Sequence, residues 1–394
     1  MGSFYRGGFG NHAHGILSVL GGGLYNTAYC ALTSLVGGYN NFAGGHFSFL
    51  GGGYRNTLGS DSLCNCGYAS VLNGGYWNIN DGRYATLGGG FGNRILCTSG
   101  NTIAGGMRNT TTSDYSTVGG GLGNYAGGDG ATIGGGQSNY VQAMNGTISG
   151  GGLAVSSDPT SNNEVYDNWG TIGGGGANKA GSNDGIEIND QYITIGGGFS
   201  NDATSDFTTI GGGSTNHITG DYATIAGGDT NVIIGDHSFI GGGQGNEVTA
   251  VYATIAGGQN NRAIFNDHQF IGGGAFNYTP DPYGTISGGL DNQAFTWATV
   301  GGGVGNFAHN EYTFIGGGSG NRANGNSAAI SGGVRNTASG DTSFVGGGAD
   351  NLASLFSSTV GGGSKNAATS IYATIGGGRG NNAYGAWGYY RWRF

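Results

Sequence analysis

Proline is almost missing from this chain, at three residues in 394. That excludes collagen and polyproline linkers, both of which depend on it. Charge is sparse as well: 9% of residues carry one, where a globular domain has about 25%. The 13 lysines and arginines form no run before Arg391 and Arg393. Phosphate backbones demand clustered cations, so no nucleic-acid partner is expected. No stretch approaches the ~18 apolar residues of a membrane-spanning helix, so no membrane span is expected. The apolar run 16–20 is too short for the core of an export signal and lacks a basic start. Four cysteines, Cys30, Cys64, Cys66 and Cys97, are too few to staple a chain of this length. Cys64 and Cys66 form a C-x-C, a weak metal signal alone, and free thiols or one adventitious pair are the expectation.

What is present is glycine, 94 residues, roughly three times ordinary usage. The 22 tyrosines and 18 phenylalanines argue against simple disorder, which is poor in aromatics. The phrase Tyr-Ala-Thr-Ile-Gly-Gly-Gly recurs in close variants, with an asparagine six residues after the isoleucine. Anchored on that asparagine, the chain holds 24 repeats from Asn11 to Asn381, with Ala154 standing in once. Of the 23 intervals, 17 are 15 residues; two are 16, one is 14, and three are 22, 24 and 23. One array therefore spans the chain, read as a single domain over 1–394 with lengthened coils at 57–71, 155–171 and 179–194. A 15-residue period is too short for a helical hairpin repeat, and glycine triplets disfavour helices.

With the isoleucine as position zero, position zero is branched aliphatic and position −2 is small, as in Ala85, Ala131 and Ala373. The two share one face of a strand. A second apolar position falls two residues after the asparagine, as in Ala126, Val141 and Ile218. The expected fold is all-β: a parallel β-solenoid, or β-roll, of about 24 coils of 15 residues. Each coil has two short strands, and glycine corners supply positive φ. Successive coils stack at about 4.8 Å. An asparagine at one corner of every coil predicts an internal amide ladder through Asn93, Asn109, Asn124, Asn139, Asn201, Asn216, Asn231 and Asn246.

Other columns face outward. Position −1 is Thr in 14 of 24 coils and Phe in six; position −3 is often aromatic. Together they predict an interaction strip through Thr86, Thr117, Thr132, Thr194, Thr209 and Thr224, with Tyr84, Tyr115, Tyr192, Tyr222, Phe239 and Phe270. Such a strip suits self-association, sugar stacking or, less well given its tyrosines, ice; strand propensity alone also explains Thr and Phe. Position −4 carries Asp114, Asp129, Asp206, Asp221, Asp236, Asp267, Glu311 and Asp341. Stacked carboxylates repel unless a cation or donors intervene. Calcium is one answer and turn capping the more ordinary one, so no cofactor is assigned. The lengthened coils place Asp158, Glu164, Asp167, Asp184, Glu187 and Asp190 on loops. The seven histidines look scattered. No enzyme is expected: no glycine triplet is followed by Gly-Lys-Ser/Thr, and there is no His-Glu-x-x-His or nucleophile elbow.

The run Tyr-Ala-Thr-Ile-Gly, at 84–88, 222–225, 252–255 and 372–376, resembles the head repeat of trimeric autotransporter adhesins of the YadA type; phage tail fibre repeats are similar. In those adhesins a Ser-Val-Ala-Ile-Gly-like strand recurs about every 14 residues, and no stalk, neck or anchor segment like theirs is seen here. The resemblance implies a left-handed parallel β-roll, trimers and a bacterial surface that binds host matrix. The function expected is a non-enzymatic extracellular fibre or adhesive at a cell or virion surface. Its partner is itself, head to tail through the aromatic tail 387–394 or laterally, as in a trimer. The alternative is a ligand-binding solenoid that takes surface glycans.

Overall fold

The computed structural model describes residues 2–60, 65–152 and 161–385, and the backbone of 389–390. It is all-β, a parallel solenoid of about 25 turns of ~15 residues. By compactness the chain forms two units, Met1–Phe207 and Thr208–Phe394.

In the first unit every strand is two residues long, from Phe4–Tyr5 to Asp202–Ala203. The strand ending at position zero pairs in parallel with its copy one coil on, as Thr86–Leu87 does with Thr102–Ile103 and that with Thr117–Val118. The strand after the asparagine forms a second ladder, as in Thr110–Thr111 against Tyr125–Ala126. A single-residue bridge two positions before the asparagine makes a third line of contact, as in Tyr54 to Tyr76 to Phe91. The second unit repeats the scheme: Thr224–Ile225 pairs with Phe239–Ile240, and Val232–Ile233 with Glu247–Val248.

The core follows from the alternation. Position-zero Leu87, Ile103, Val118, Ile133, Ile225 and Ile240 are fully buried, as are the small residues Ala85, Ala131 and Ala223. Across from them lie Ala126, Val141, Ile218 and Ala263, also fully buried. One aliphatic and two small side chains per coil make a thin core, each aliphatic contributing about 1.5–3 kcal/mol. Backbone hydrogen bonding between coils supplies the rest of the order. Val19 N–H donates to Thr33 O at 2.8 Å and Gly21 N–H to Leu35 O at 2.9 Å, and the pattern recurs along each unit.

The turns need positive φ at several places per coil. In the third glycine of a triplet the requirement is absolute. Gly243 has φ 95°, and a Cβ there would collide with the Gly258 carbonyl oxygen in the next coil. Ordinary side chains also occupy left-handed corners: Thr230 at 57°, Tyr252 at 56°, Trp297 at 56°. Each such residue costs roughly 1–2 kcal/mol. The corner is held by a backbone bond to the preceding coil, as in Tyr252 N–H to Asp236 O at 3.0 Å.

Two expectations are corrected here. The asparagine missing at Ala154 is supplied by Asn163, whose Nδ2 donates to Asn139 Oδ1 at 3.3 Å and whose Oδ1 accepts from Asn178. The extra length therefore precedes Asn163 and does not follow the anchor; an alanine has no amide to continue the ladder. Ala154 itself lies outside the described residues. The cysteines, expected as free thiols or one chance pair, are cross-linked at all three described positions. Cys66 bonds Cys97, with Cα atoms 5.4 Å apart, and Cys30 is also in a disulfide. Closing a loop 31 residues apart in sequence is worth about 3–4 kcal/mol on chain-entropy grounds. Reduction is therefore expected to expose the coils around residues 59–97 first. Hydrogen exchange should rise there with little change beyond residue 208.

Candidate interaction surfaces

The buried asparagine ladder organises every surface column. In unit two, Asn231 Oδ1 accepts Asn246 N–H and Nδ2–H, each at 3.1 Å. Asn231 Nδ2 donates to Asn216 Oδ1 at 3.1 Å, Gly227 O at 3.1 Å and Gly243 O at 3.0 Å. One amide thus ties its own glycine corner to the coils on both sides. In unit one Asn93, Asn109, Asn124 and Asn139 likewise tie the next coil's glycine corner to the preceding asparagine, the amide-to-amide bond being made by Asn124 and Asn139. Asn201 continues the ladder from Asn178. All are fully buried.

This fixed register places residues of the outward columns one rung apart. Thr86, Thr117, Thr132 and Thr194 lie along one ladder in unit one, Thr209 and Thr224 along another in unit two, followed by Phe239, Thr254 and Phe270. The threonines are half-buried or exposed; Phe239 and Phe270 are about 40% exposed. Tyr84, Tyr115, Tyr192 and Tyr222 are all exposed, each at a left-handed corner.

The corner column is more continuous than its tyrosines alone indicate. His237 and His268, read from sequence as scattered, fill its gaps in unit two. Tyr222, His237, Tyr252, His268, Tyr283, Trp297 and Tyr312 follow one another with ring centroids 4.1–5.7 Å apart. The first four contacts lie within 24° of parallel. In unit one Trp169, Tyr192 and Phe207 stack likewise, at 5.0 and 4.8 Å.

A second apolar ladder was missed from sequence. At the bridge position, two before the asparagine, unit one carries Phe9, Leu24, Tyr39 and Tyr54, then Tyr76, Phe91, Met107 and Leu122 on consecutive coils. Tyr39, Tyr54, Tyr76 and Phe91 stack at 4.9, 4.8 and 5.3 Å. The exposed Arg55 lies over Tyr54 and Trp77. Counting back from the asparagine as well as forward would have revealed it.

On five coils the −4 carboxylate accepts a backbone N–H from the preceding coil. Asp114 Oδ1 accepts Ser99 N–H at 2.8 Å, Asp129 Oδ1 accepts Asp114 N–H at 3.2 Å, and Asp206 Oδ1 accepts Gln191 N–H at 2.6 Å. In unit two Asp236 Oδ1 serves Asp221 and Asp341 Oδ1 serves Asn326, both at 2.9 Å. These N–H donors offset part of the repulsion between neighbouring carboxylates.

The lengthened coil 181–192 covers a different carboxylate. Asp167 is 1% exposed, and neither of its oxygens has a well-formed hydrogen bond. Burial pushes its carboxyl up to about 7, and the Asp190 carboxylate adds to the shift. The Ser182 amide, which bonds Asp190 Oδ2 at 3.3 Å, offsets only part of this. Glu164, on the neighbouring strand, accepts from Tyr166 Oη at 2.8 Å.

Unit two also holds a shallow cleft of about 350 Å³ lined by Asp281, Phe295, Thr296, His309, Asn310, Glu311 and Asn326. The His309 ring centroid lies 4.7 Å from that of Phe295 and 5.3 Å from that of Phe307. Among the described residues no group of three or more His, Cys, Asp or Glu is arranged to hold a metal ion. Among the same residues no helix is long and apolar enough to cross a membrane. The aromatic tail 387–394 falls outside the described residues, apart from the backbone of Tyr389–Tyr390 alongside Thr374–Ile375.

No family profile and no curated protein matches this chain.

Proposed function

We propose that this protein is a non-enzymatic structural element that builds an extracellular fibre or adhesive surface by associating with copies of itself. The observation that carries this reading is the state of the exposed aromatic ladders. Their ring faces are already stacked on one another, so sugars have few faces left to stack on. Edges and hydroxyls remain, in long regular rows, which suit contact with another extended surface. Disulfides at Cys30 and Cys66–Cys97 fit an oxidising compartment, at a cell or virion surface or outside it. The resemblance to YadA-type heads and phage fibres points the same way and implies lateral trimers.

Sedimentation velocity and negative-stain microscopy across micromolar concentrations test the reading. Concentration-dependent oligomers or filaments are the expected result. A chain that stays monomeric at about 100 µM would remove it.

One observation favours a second reading. The cleft at Asp281 and Glu311 combines carboxylates, an amide and aromatic rings, a chemistry suited to a glycan. A glycan-array signal lost in Phe295→Ala, with no self-association, would select it.

A further inference from the structure

The two apolar ladders differ in their charged surroundings. Residues 1–112 carry five arginines against two aspartates, a net charge of +3; residues 113–394 carry eight cations against twenty carboxylates, a net charge of −12. Beside the bridge-position ladder of unit one stand Arg55, Arg94 and Arg108, all exposed. Between residues 2 and 113 the one described acid is Asp81, buried and bonded to Ser60. The ladder of unit two has the opposite setting. Asp221, Asp236, Asp267 and Glu311 each directly precede one of its rings, and none of the four is buried.

The ladders also match in repeat. Stacked rings along unit one are 4.8–5.3 Å apart. From Tyr222 to Tyr283, those along unit two are 4.9–5.1 Å apart. A partner with any other spacing would fall out of step within a few rungs, whereas a second copy of this chain keeps step over the full ladder.

We infer that the basic ladder from Phe9 to Leu122 of one molecule docks on the acidic aromatic ladder from Tyr222 to Tyr312 of a second copy. This deepens the structural reading above and rests on it. The contact joins two unlike surfaces, and each molecule presents one of each kind. Eight and seven large side chains, exposed or partly so, offer on the order of 500 Å² per face. Together that reaches about the 1,000 Å² at which a specific interface begins. Affinity per contact is accordingly modest, and assembly is set by concentration and weakened by salt.

Charge reversal tests this pairing without touching the core. Asp267 and Glu311 are chosen because Asp236 also holds a backbone N–H. Arg55→Glu with Arg108→Glu makes the first face acidic; Asp267→Lys with Glu311→Lys makes the second face basic. Each double variant, shown folded by circular dichroism and an unchanged melting temperature, is expected to lose the fast-sedimenting species of the wild type. An equimolar mixture of the two is expected to regain it, because each variant's altered face complements the other's. Assembly persisting in both variants would overturn this pairing while leaving the structural reading intact. Loss in the arginine variant alone would also overturn it, by pointing to a contact between two basic ladders. A wild type that never assembles would remove both.

Discussion

Replacing Asn231 with alanine is expected to cost about 3–6 kcal/mol, far more than truncating an outward side chain. The number follows from the groups left behind. The substitution strands Asn246 N–H and Nδ2, which lose their acceptor, and the Gly227 and Gly243 carbonyls and Asn216 Oδ1, which lose a donor. A buried polar group without a partner costs roughly 1–3 kcal/mol, and some of these keep a second bond. Asn231→Asp keeps the shape but exchanges a donor for a buried charge, so it should be at least as harmful. The loss should be local. A solenoid's stability is a sum over neighbouring coils, so hydrogen exchange should quicken across residues 212–258 before the remainder of unit two. Guanidinium unfolding by circular dichroism gives the magnitude. The matched control is Thr224→Ala on the same unit, which should shift stability by less than about 1 kcal/mol.

The second large effect concerns Asp167 and its sign against pH. Its folded carboxyl titrates at about 7, while an unfolded aspartate titrates near 3.9. Between those values the folded state holds the proton and the unfolded state does not, so stability falls as pH rises from about 4 to 7 and is level above. The full shift corresponds to roughly 2–4 kcal/mol, felt in the coil 181–192 that covers the side chain. Asp167→Asn keeps the size and removes the charge. It is expected to raise the melting temperature at pH 8, to leave it nearly unchanged at pH 4, and to flatten the profile between. Proteolysis within 181–192 should follow the same profile, faster at pH 8 in the wild type and protected in the variant.

The fold was legible because the sequence states its period outright. Isoleucine at position zero, alanine at −2 and asparagine at +6 have different chemical jobs: filling a core, leaving room in it, and bridging three coils with one amide. Side chains with such distinct jobs cannot be exchanged, so they recur where the geometry needs them. The outward columns obey no such rule. Tyr, His, Trp, Asn, Ser and Thr all occupy the −3 corner, because what it demands is a backbone at φ near 56° and little of the side chain. That tolerance hid His237 and His268 among the tyrosines. The bridge position was hidden for a related reason. Its apolar character holds through Leu122 and then gives way to Gln137 and Gly152, so a consensus taken over the whole array averages it out. Ala154 misled because it kept the 15-residue spacing; only the bonding of Asn163 shows where the insertion lies. Asp167 could not have been singled out from sequence, since its burial depends on a neighbouring coil folding over it.

An asparagine amide reaches only the coils directly above and below, so the ladder ties each coil to its neighbours alone, and the Cys66–Cys97 disulfide is a cross-link that passes over an intervening coil. Outside the disulfide-linked coils, a stretch of DNA encoding a whole number of coils can therefore be duplicated or lost without leaving a mismatched joint. Length is thus a quantity that replication slippage can tune, while a slip inside a coil is kept where the asparagine bond still closes across it, as it does from Asn56 to Asn78 and from Asn178 to Asn201. The near-perfect fifteen-residue metre is the trace such editing would leave.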